Sequence, residues 1–557
     1  MVKQKILEDL KRVVEELGYK STDIVCSIPK NPQFGDYSTN VALQLANQPP
    51  ANSHQSTEEI AKEISEKMQG LDYLEKVEVA GGFINFFIRD NELLKNLDDL
   101  KIPSADAKKI FVEYGHTNPL KEIHIGHLRT FILGESIVRV LEAIGHNVFH
   151  ANYQGDIGLH VGKAIWGMKK QGLPTKELSL EEKAKYLGQA YADGNKAYDE
   201  DPEAKQEINK INTGIYKKDP EFKQIYELAR GWSLEYFEPI YELLGIKYDR
   251  CFFESEVYQR GKEIVMENVG KVFEESDGAI IFPGEKYGLH NRVFVTAAGN
   301  PTYEGKEMGL AEAEYDTFNY DKAIHVVADE QAGYFQVVFK AIGMVFPYLE
   351  GKKYHLSYGL VDLKEGKMSS RTGTVITVDD LIKVVSEKVR EVMKQSKGEV
   401  DQDVAKKIAI GAIKFSYLKF SPTPNMVFDL EQSVSLDGDS GPYVQYAYAR
   451  IQSVLKKAKK DLTEANFENL VLEKEERGLL RELTFFPEIV SESAKVYHPN
   501  LIASYLLELS KLFNLFYQQC RIIGSEKEDF RLKLAFKVAE VLKKGLFLLG
   551  IEAPEEM

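Results

Sequence analysis

The sequence predicts an α/β protein: a parallel sheet wound with helices and interrupted by a helical insertion, set between a small α+β N-terminal domain and an all-α C-terminal domain. Three observations predict it. Between Ile110 and Gly158, apolar runs of strand length alternate with stretches of helical periodicity, and a polar or glycine turn marks each hand-over. From Gly172 to Tyr248 that rhythm breaks into charged, helix-favouring sequence. From Val378 onward it gives way to apolar stripes at helical spacing.

Taken in order, Ile6, Leu7, Leu10, Val13, Val14 and Leu17 describe one face of a helix. Val77 to Ile88 reads as two strands around a glycine turn. Lys101 to Ala107 is polar, holds a proline and reads as a linker. Ile110 to Tyr114 is β-branched, aromatic and mostly apolar, as in a buried strand, and Gly115-His116-Thr117-Asn118-Pro119 ends it. Leu128, Ile132, Leu133, Ile137, Val138 and Leu141 then recur at helical spacing. A second strand is expected over 146–153, and Gly155-Asp156-Ile157-Gly158 opens another helix. This is the rhythm of a Rossmann-type sheet, which binds ligands beyond the carboxyl ends of its strands.

Asp201-Pro202 and Asp219-Pro220 punctuate the insertion. After it the sheet is expected to resume, with strands near 278–282, 292–296, 323–327 and 354–358 and helices near 306–315 and 334–346 crossing between them. Ser396-Lys397-Gly398 divides the helical region. Beyond it helices are expected near 401–420, 441–461, 473–493, 498–523 and 530–549.

At 557 residues the chain is long enough for several domains, each with its own core. No apolar run is long enough to span a bilayer, and charges interrupt the N-terminus, which argues against a signal peptide. Cys26, Cys251 and Cys520 form no Cys-x-x-Cys pair, which argues for a reducing compartment and against a structural zinc site. A cytoplasmic protein is expected. The formal net charge of −15 speaks against a generic polyanion binder. An acidic chain still binds RNA where its cations cluster, and Arg450, Lys456, Lys457, Lys459 and Lys460 share one expected helix. The alternative reading of that run is a solvated helix face.

Two stretches carry chemistry. His124-Ile125-Gly126-His127 sits where the first strand hands over to its helix, where unpaired N–H groups and the helix dipole favour anions. Two imidazoles three residues apart can each donate a hydrogen bond to one phosphate, with Gly126 leaving room for a ligand against the backbone. The plain alternative is a pair of capping or packing residues. Far downstream, Gly366-Lys367-Met368-Ser369-Ser370-Arg371-Thr372-Gly373 is bracketed by glycine and suits a flap over a polyphosphate, with two cations and two small hydroxyl donors. By itself it could equally be a solvated turn.

Together, in this order, the two stretches resemble the paired HIGH and KMSKS signatures of class I aminoacyl-tRNA synthetases. The surrounding sequence resembles arginyl-tRNA synthetase nearly end to end. The resemblance is carried by Phe34-Gly35-Asp36-Tyr37-Ser38-Thr39-Asn40-Val41-Ala42, Gly82-Phe83-Ile84-Asn85-Phe86, Gly441-Pro442-Tyr443-Val444-Gln445-Tyr446-Ala447-Tyr448-Ala449-Arg450, and the last residues from Val541 to Met557. It implies a tRNA-elbow-binding domain over 1–100 and a Rossmann-type catalytic domain over 107–395 with its insertion at about 172–248. A helical anticodon-binding domain would fill 400–557. The insertion is too short for an editing domain, which fits a substrate sorted in one step.

The same resemblance assigns site residues. His124, His127, Lys121 and Lys367 would be catalytic, and Gly126, Met368, Ser369, Ser370 and Arg371 would join them around ATP. Glu113, Tyr303, Glu307 and Gln331 match the pocket for the guanidinium, while Asn118, His116 and His124 match the positions around the α-groups of arginine. Phe83 and Asn85 match an aromatic and an amide that meet a tRNA base; the alternative is a core ring and an edge-strand amide. Arg450, Lys456 and Lys457 would also touch tRNA. Three departures stand out. Ser370-Arg371 replaces the usual lysine of the flap, Glu307 replaces the more usual aspartate, and His116 stands where serine is frequent.

The implied reaction activates L-arginine with ATP and Mg2+ as co-substrate, then moves the arginyl group to the 3′ end of tRNA(Arg). No metal bound by the protein itself, no membrane and a monomer are expected. The alternatives are another class I synthetase, a small HIGH-type nucleotidyltransferase, or a catalytically inactive relative that binds tRNA or protein.

Overall fold

The computed structural model describes the chain except residues 1, 21–22, 48–54, 365–376, 398–400, 461–466 and 468–469, together with the side chains of 395–397. Five short apolar segments pair in parallel: β1 (Lys109–Glu113), β2 (Asn147–Gln154), β3 (Arg250–Phe253), β4 (Lys322–Ala328) and β5 (Lys353–Tyr358). Their order in the sheet is β5-β4-β1-β2-β3. The chain therefore builds outward from β1, then returns to the other side of β1 to lay down β4 and β5. At that reversal the connections leave β1 and β4 for opposite faces, and a crevice opens beyond their carboxyl ends. Register sets Glu113 beside His325 across the reversal.

The helix after β1, Ile125–Ala143, is buried on almost every side from Leu128 to Leu141, so its amphipathicity is weak and its polar residues need partners inside. Arg129 is 2% exposed and donates to the backbone carbonyls of Tyr417, Ser421 and Pro422. Ser136 Oγ donates to the carbonyl of Leu548 at 2.9 Å.

Two of the strands expected in the parallel sheet lie elsewhere. Ala279–Phe282 and Arg292–Val295 join Glu274–Ser276 in a separate three-stranded antiparallel sheet. The reason is local: Asp277 and Gly278 have φ of +50° and +76°, a tight turn that joins antiparallel neighbours, whereas parallel neighbours need a long crossover. The edge strand β3 escaped the sequence reading because four residues between charged flanks carry little periodic signal. The insertion folds as helices Leu180–Glu200, Pro202–Tyr216 and Pro220–Leu243. Each Asp-Pro pair starts a helix: Asp201 and Asp219 accept from backbone N–H groups of the first turn, and the proline at the first helical position has none to waste.

The chain separates into two compact units. One comprises Pro103–Ala449, Val490–Leu507 and Lys543–Met557, and contains the parallel sheet and the insertion. The other comprises Met1–Ile102, Arg450–Ile489 and Glu508–Leu542. In it, strands Cys26–Ser27, Tyr37–Thr39, Phe83–Ile88 and Leu74–Ala80 form an antiparallel sheet in that order. Gly81 and Gly82 close its main hairpin with φ of +58° and +80°, the doubly left-handed turn that only glycine adopts at no cost. The C-terminal helices Gln402–Leu418, Gly441–Ala458, Lys474–Val496, Asn500–Gln519 and Glu528–Leu548 fall within a few residues of expectation. No helix among the described residues is long and apolar enough to cross a membrane.

Asp36 organises this second unit. It is 2% exposed and accepts from Arg481 Nε at 2.9 Å, Arg477 Nη2 at 3.0 Å and the N–H of Ile88 at 2.7 Å. Beside it Tyr37 Oη donates to Glu488 at 2.6 Å. Asp36→Ala leaves the buried Arg481 guanidinium without its carboxylate, while Arg477 keeps Asp90 at 2.9 Å, and should cost about 3–5 kcal/mol in the unfolding of this unit by urea. A midpoint equal to wild type would show that water replaces the carboxylate.

Candidate active site

The turn from β1 to its helix brings the two imidazoles into one motif. His124 is the N-cap of Ile125–Ala143: its Nδ1 accepts from the N–H of Gly126 at 3.1 Å, and His127 Nδ1 accepts from the N–H of His124 at 3.2 Å. The rings lie 3.9 Å apart, centre to centre. A Cβ on Gly126 would stand 2.9 Å from His124 Cε1, so the space that glycine frees holds the folded-back imidazole itself. With both Nδ1 atoms accepting, each ring carries its proton on Nε2 and offers that N–H outward. Burial lowers the pKa of both, His127 to about 3, so they act as neutral donors at neutral pH. Capping and phosphate readings are therefore compatible: one nitrogen serves the helix and the other faces the crevice. Lys121 adds the charge nearby, its Nζ 5.0 Å from the centre of the Tyr191 ring.

Carboxylates line the side of the crevice nearer β4. Glu113 and Glu307 are 2% and 7% exposed. Glu113 Oε1 lies 3.2 Å from His325 Nδ1 and 3.6 Å from His116 Nδ1. Its Oε2 is buried without a hydrogen-bond partner among the described residues, as are His116 Nε2 and Tyr153 Oη. Such atoms are rare in folded proteins, and a polar ligand is a natural partner for them. Glu307 accepts from Tyr334 Oη at 3.3 Å; burial, then the charge of Glu113, push its carboxyl well above the usual range. His116 has a φ of +49°, a conformation uncommon without glycine and typical of functional turns.

Asn118 binds the two turns of the site together, its Oδ1 accepting from the N–H of Gly155 at 3.2 Å. Behind Gly155, the buried Asp156 accepts from Arg230 Nε at 2.9 Å and from Ser255 Oγ at 2.7 Å, fixing the insertion against the end of β2. His160, which sequence reasoning passed over, bonds through Nε2 to the carbonyl of Gly155 at 2.8 Å and is lowered to about 4 by burial.

The other expected residues are placed less centrally. Tyr303 begins the helix Tyr303–Thr317, three residues earlier than expected, and is 61% exposed. Gln331 ends the short turn Asp329–Gln331 after β4 and is exposed. Lys367, Met368, Ser369, Ser370 and Arg371 lie outside the described residues. In the second unit, Phe83 is 44% exposed, but Asn85 is 3% exposed and accepts from Ser38 Oγ at 2.7 Å on an inner strand, so it neither decorates an edge nor faces solvent. Arg450 donates to Asn514 Oδ1 at 2.7 Å, while Lys456 and Lys457 are exposed.

Three further residues were missed. His325, Lys353 and Glu314 form a buried chain behind Glu113: Lys353 Nζ lies 3.2 Å from His325 Nε2 and 2.5 Å from Glu314 Oε2. A histidine within the apolar run of β4 was the available signal. Glu113, Glu314 and His325 have the spacing of metal ligands, but Lys353 already supplies a cation to two of them.

The family profile described as the catalytic domain of class I tRNA synthetases (R) matches residues 90–430. The arginyl tRNA synthetase N-terminal domain matches residues 1–88 and the DALR anticodon binding domain residues 444–557. The chain is 32% identical over 574 residues to the arginine–tRNA ligase of Clostridium perfringens, covering 100% of each. It is 32% identical over 550 residues to that of Amoebophilus asiaticus, covering 90% of this chain and 91% of the relative. In structure it resembles the arginyl-tRNA synthetase of Thermus thermophilus, with a TM-score of 0.85 at 24% identity over 100% of each chain. The Plasmodium falciparum arginyl-tRNA synthetase gives 0.84 at 21% identity, over 100% of this chain and 99% of the other. At these identities the structural likeness speaks for the fold alone.

The neutral pair makes a prediction about pH. His127 is depressed from 6.5 to about 3 on folding, so between those values the unfolded chain binds more protons than the folded one. The stability that depends on it is complete above pH 6.5 and falls away as the solution is acidified. His127→Asn should therefore flatten the decline of the urea midpoint between pH 7.5 and pH 5, roughly the window in which an unfolded imidazole titrates. An unaltered decline would mean that the ring is already charged in the folded protein.

Proposed function

The chain belongs to the arginyl-tRNA synthetases of class I, and from that premise we propose how its residues carry out the reaction. It is an arginine–tRNA ligase, an ATP-dependent enzyme. The carboxylate of arginine attacks the α-phosphorus of ATP, the bond to the bridging oxygen breaks, and pyrophosphate leaves. The terminal ribose hydroxyl of tRNA(Arg) then attacks the carbonyl carbon of the adenylate, and AMP leaves. Magnesium arrives with the nucleotide as part of the co-substrate.

In this reading, His124 and His127 donate their Nε2–H groups to phosphate oxygens, and Lys121 neutralises developing charge. Lys367, with Met368, Ser369, Ser370 and Arg371, covers the nucleotide beside Gly126. The first step needs positioning and charge stabilisation more than a general base, which suits neutral donors already oriented by the backbone. Glu113 and Glu307 receive the guanidinium, flanked by Tyr303 and Gln331, while Asn118 and His116 lie toward the α-groups. The observation that carries this reading is the pair of buried carboxylates at the sheet's reversal, one with an unpartnered oxygen. Glu113 shares one desolvated pocket with a Glu307 carboxyl that burial and Glu113 hold toward its neutral form, and a planar cation would bring both to the charged form and answer both. Phe83, Arg450, Lys456 and Lys457 would meet tRNA, and the enzyme would act as a cytoplasmic monomer.

Charging of mixed tRNA with each labelled amino acid in turn tests the substrate, and arginine alone should be incorporated. In the same assay Glu307→Gln should lower arginine's kcat/KM by about 2–5 kcal/mol, the range for truncating one buried charge partner. The ATP KM should hold, and neutral citrulline as competitor should gain ground on arginine. An unchanged preference would move the guanidinium away from Glu307.

The burial of Asn85 separates two effects in the N-terminal domain. Phe83→Ala should raise the tRNA KM by the equivalent of about 1–3 kcal/mol, the loss of one base stack, without lowering the melting temperature. Asn85→Ala should instead destabilise the domain. Equal tRNA KM values for Phe83→Ala and wild type would remove Phe83 from the interface.

A further inference from the structure

Behind the arginine pocket, β4, β5 and the helix Tyr303–Thr317 contribute a row of buried groups that touch no reacting atom: His325, Lys353 and Glu314, with exposures of 0%, 2% and 0% at the side chain. The row runs Glu314 Oε2, Lys353 Nζ, His325, Glu113 Oε1, with steps of 2.5, 3.2 and 3.2 Å. An ammonium can only donate, so His325 Nε2 must accept from Lys353, and its proton must sit on Nδ1, aimed at Glu113 Oε1. We infer that His325, with its tautomer fixed by Lys353, is a positioning residue that anchors one oxygen of Glu113 and presents the other to the guanidinium of arginine. The inference rests on the reading that Glu113 receives that group.

The arrangement answers two needs. A carboxylate rotates almost freely about its last bond, and Glu113 could otherwise turn toward His116 Nδ1, 3.6 Å away. The Nδ1–H donor removes that freedom and leaves Oε2 without a hydrogen-bond donor among the described residues. The carboxyl of Glu314, raised to about 7 by burial and by the charge of Glu113 although Lys353 lowers it, lies against Glu113 as well and competes for no donor. The donor must also remain neutral. A charged imidazole would form an ion pair with Glu113 and spend the negative charge that the substrate requires. Burial and then Lys353 hold His325 well below the usual histidine range. Burial opposes the charge of Lys353, but Glu314, Tyr320 and Glu307 together keep the ammonium above the usual lysine range. Thus one cation and one anion are spent in the second row so that a neutral donor stands in the first.

Two substitutions at one position distinguish this role from simple packing. In His325→Asn the amide nitrogen takes the place of Nδ1 and can still donate to Glu113; in His325→Gln the amide reaches the place of Nε2 and that donor is lost. Titration calorimetry of the full-length enzyme should show the arginine Kd within about threefold of wild type for His325→Asn. His325→Gln should raise it by about 10- to 100-fold, the loss of one hydrogen bond to a charged group. ATP affinity should hold in both. Equal losses in the two variants would overturn the inference in favour of packing.

A third variant, Lys353→Met with Glu314→Leu, removes the buried ion pair as a whole, a change that folded proteins commonly tolerate. It leaves the imidazole in place but frees its tautomer, and arginine affinity should fall by at least about threefold, with wild-type affinity in the folded variant counting against the inference. Glu113→Gln serves as the control for the underlying reading. If it leaves arginine affinity unchanged, Glu113 does not hold the substrate and the pocket assignment fails first. If it weakens arginine while His325→Gln does not, the pocket assignment stands and only the positioning role of His325 is lost.

Discussion

The parallel pairing of β1 with β4, which sets Glu113 beside His325, is the constraint on which the site depends. It brings together residues more than two hundred positions apart. On one side the backbone leaves Glu113, passes through the left-handed turn at Gly115 and His116, and re-enters as a helix at His124. On the other side β4 and β5 carry the buried row that ends on Glu113. Move the register by one residue and the period of two in a strand would turn Glu113 to the opposite face, away from both.

Charge is used sparingly inside this acidic chain. In the proposed reading the nucleotide would meet neutral imidazoles, whose Nε2 atoms carry the proton because the Nδ1 atoms cap the helix. A neutral donor in a dry crevice avoids the desolvation penalty of a buried cation yet stabilises developing negative charge. The side nearer β4 does the opposite and gathers the buried carboxyl groups of Glu113, Glu307 and Glu314, with Lys353 engaged by Glu314. In the proposed reading the guanidinium of the substrate supplies the missing partner.

The motif Gly35-Asp36-Tyr37, which helped to carry the family likeness, has a structural basis within the second unit. Asp36 and Tyr37 bind side chains of the helix Lys474–Val496, so the beginning of the chain and a late helix share one buried polar network. A likeness of sequence there reports how that unit is held together. It says nothing direct about catalysis.

By itself the sequence determined the local events. Asp-Pro pairs started the insertion helices, adjacent glycines closed the N-terminal hairpin, apolar stripes marked the C-terminal helices, and the two imidazoles marked the end of the first strand. These are properties of a few neighbouring residues, set by backbone sterics and the hydrogen bonds of a single turn. Only the tertiary structure decided which strands share a sheet, so that 279–282 and 292–295 left the parallel sheet and 250–253 joined it. Only it decided that Asn85 is buried, that Tyr303 is open, and that burial and then Lys353 hold His325 well below the usual histidine range behind Glu113. The physical reason is the same in each case. Strand partnership, burial and protonation are set by groups distant in sequence, through desolvation and charge at distances that only the folded chain brings about.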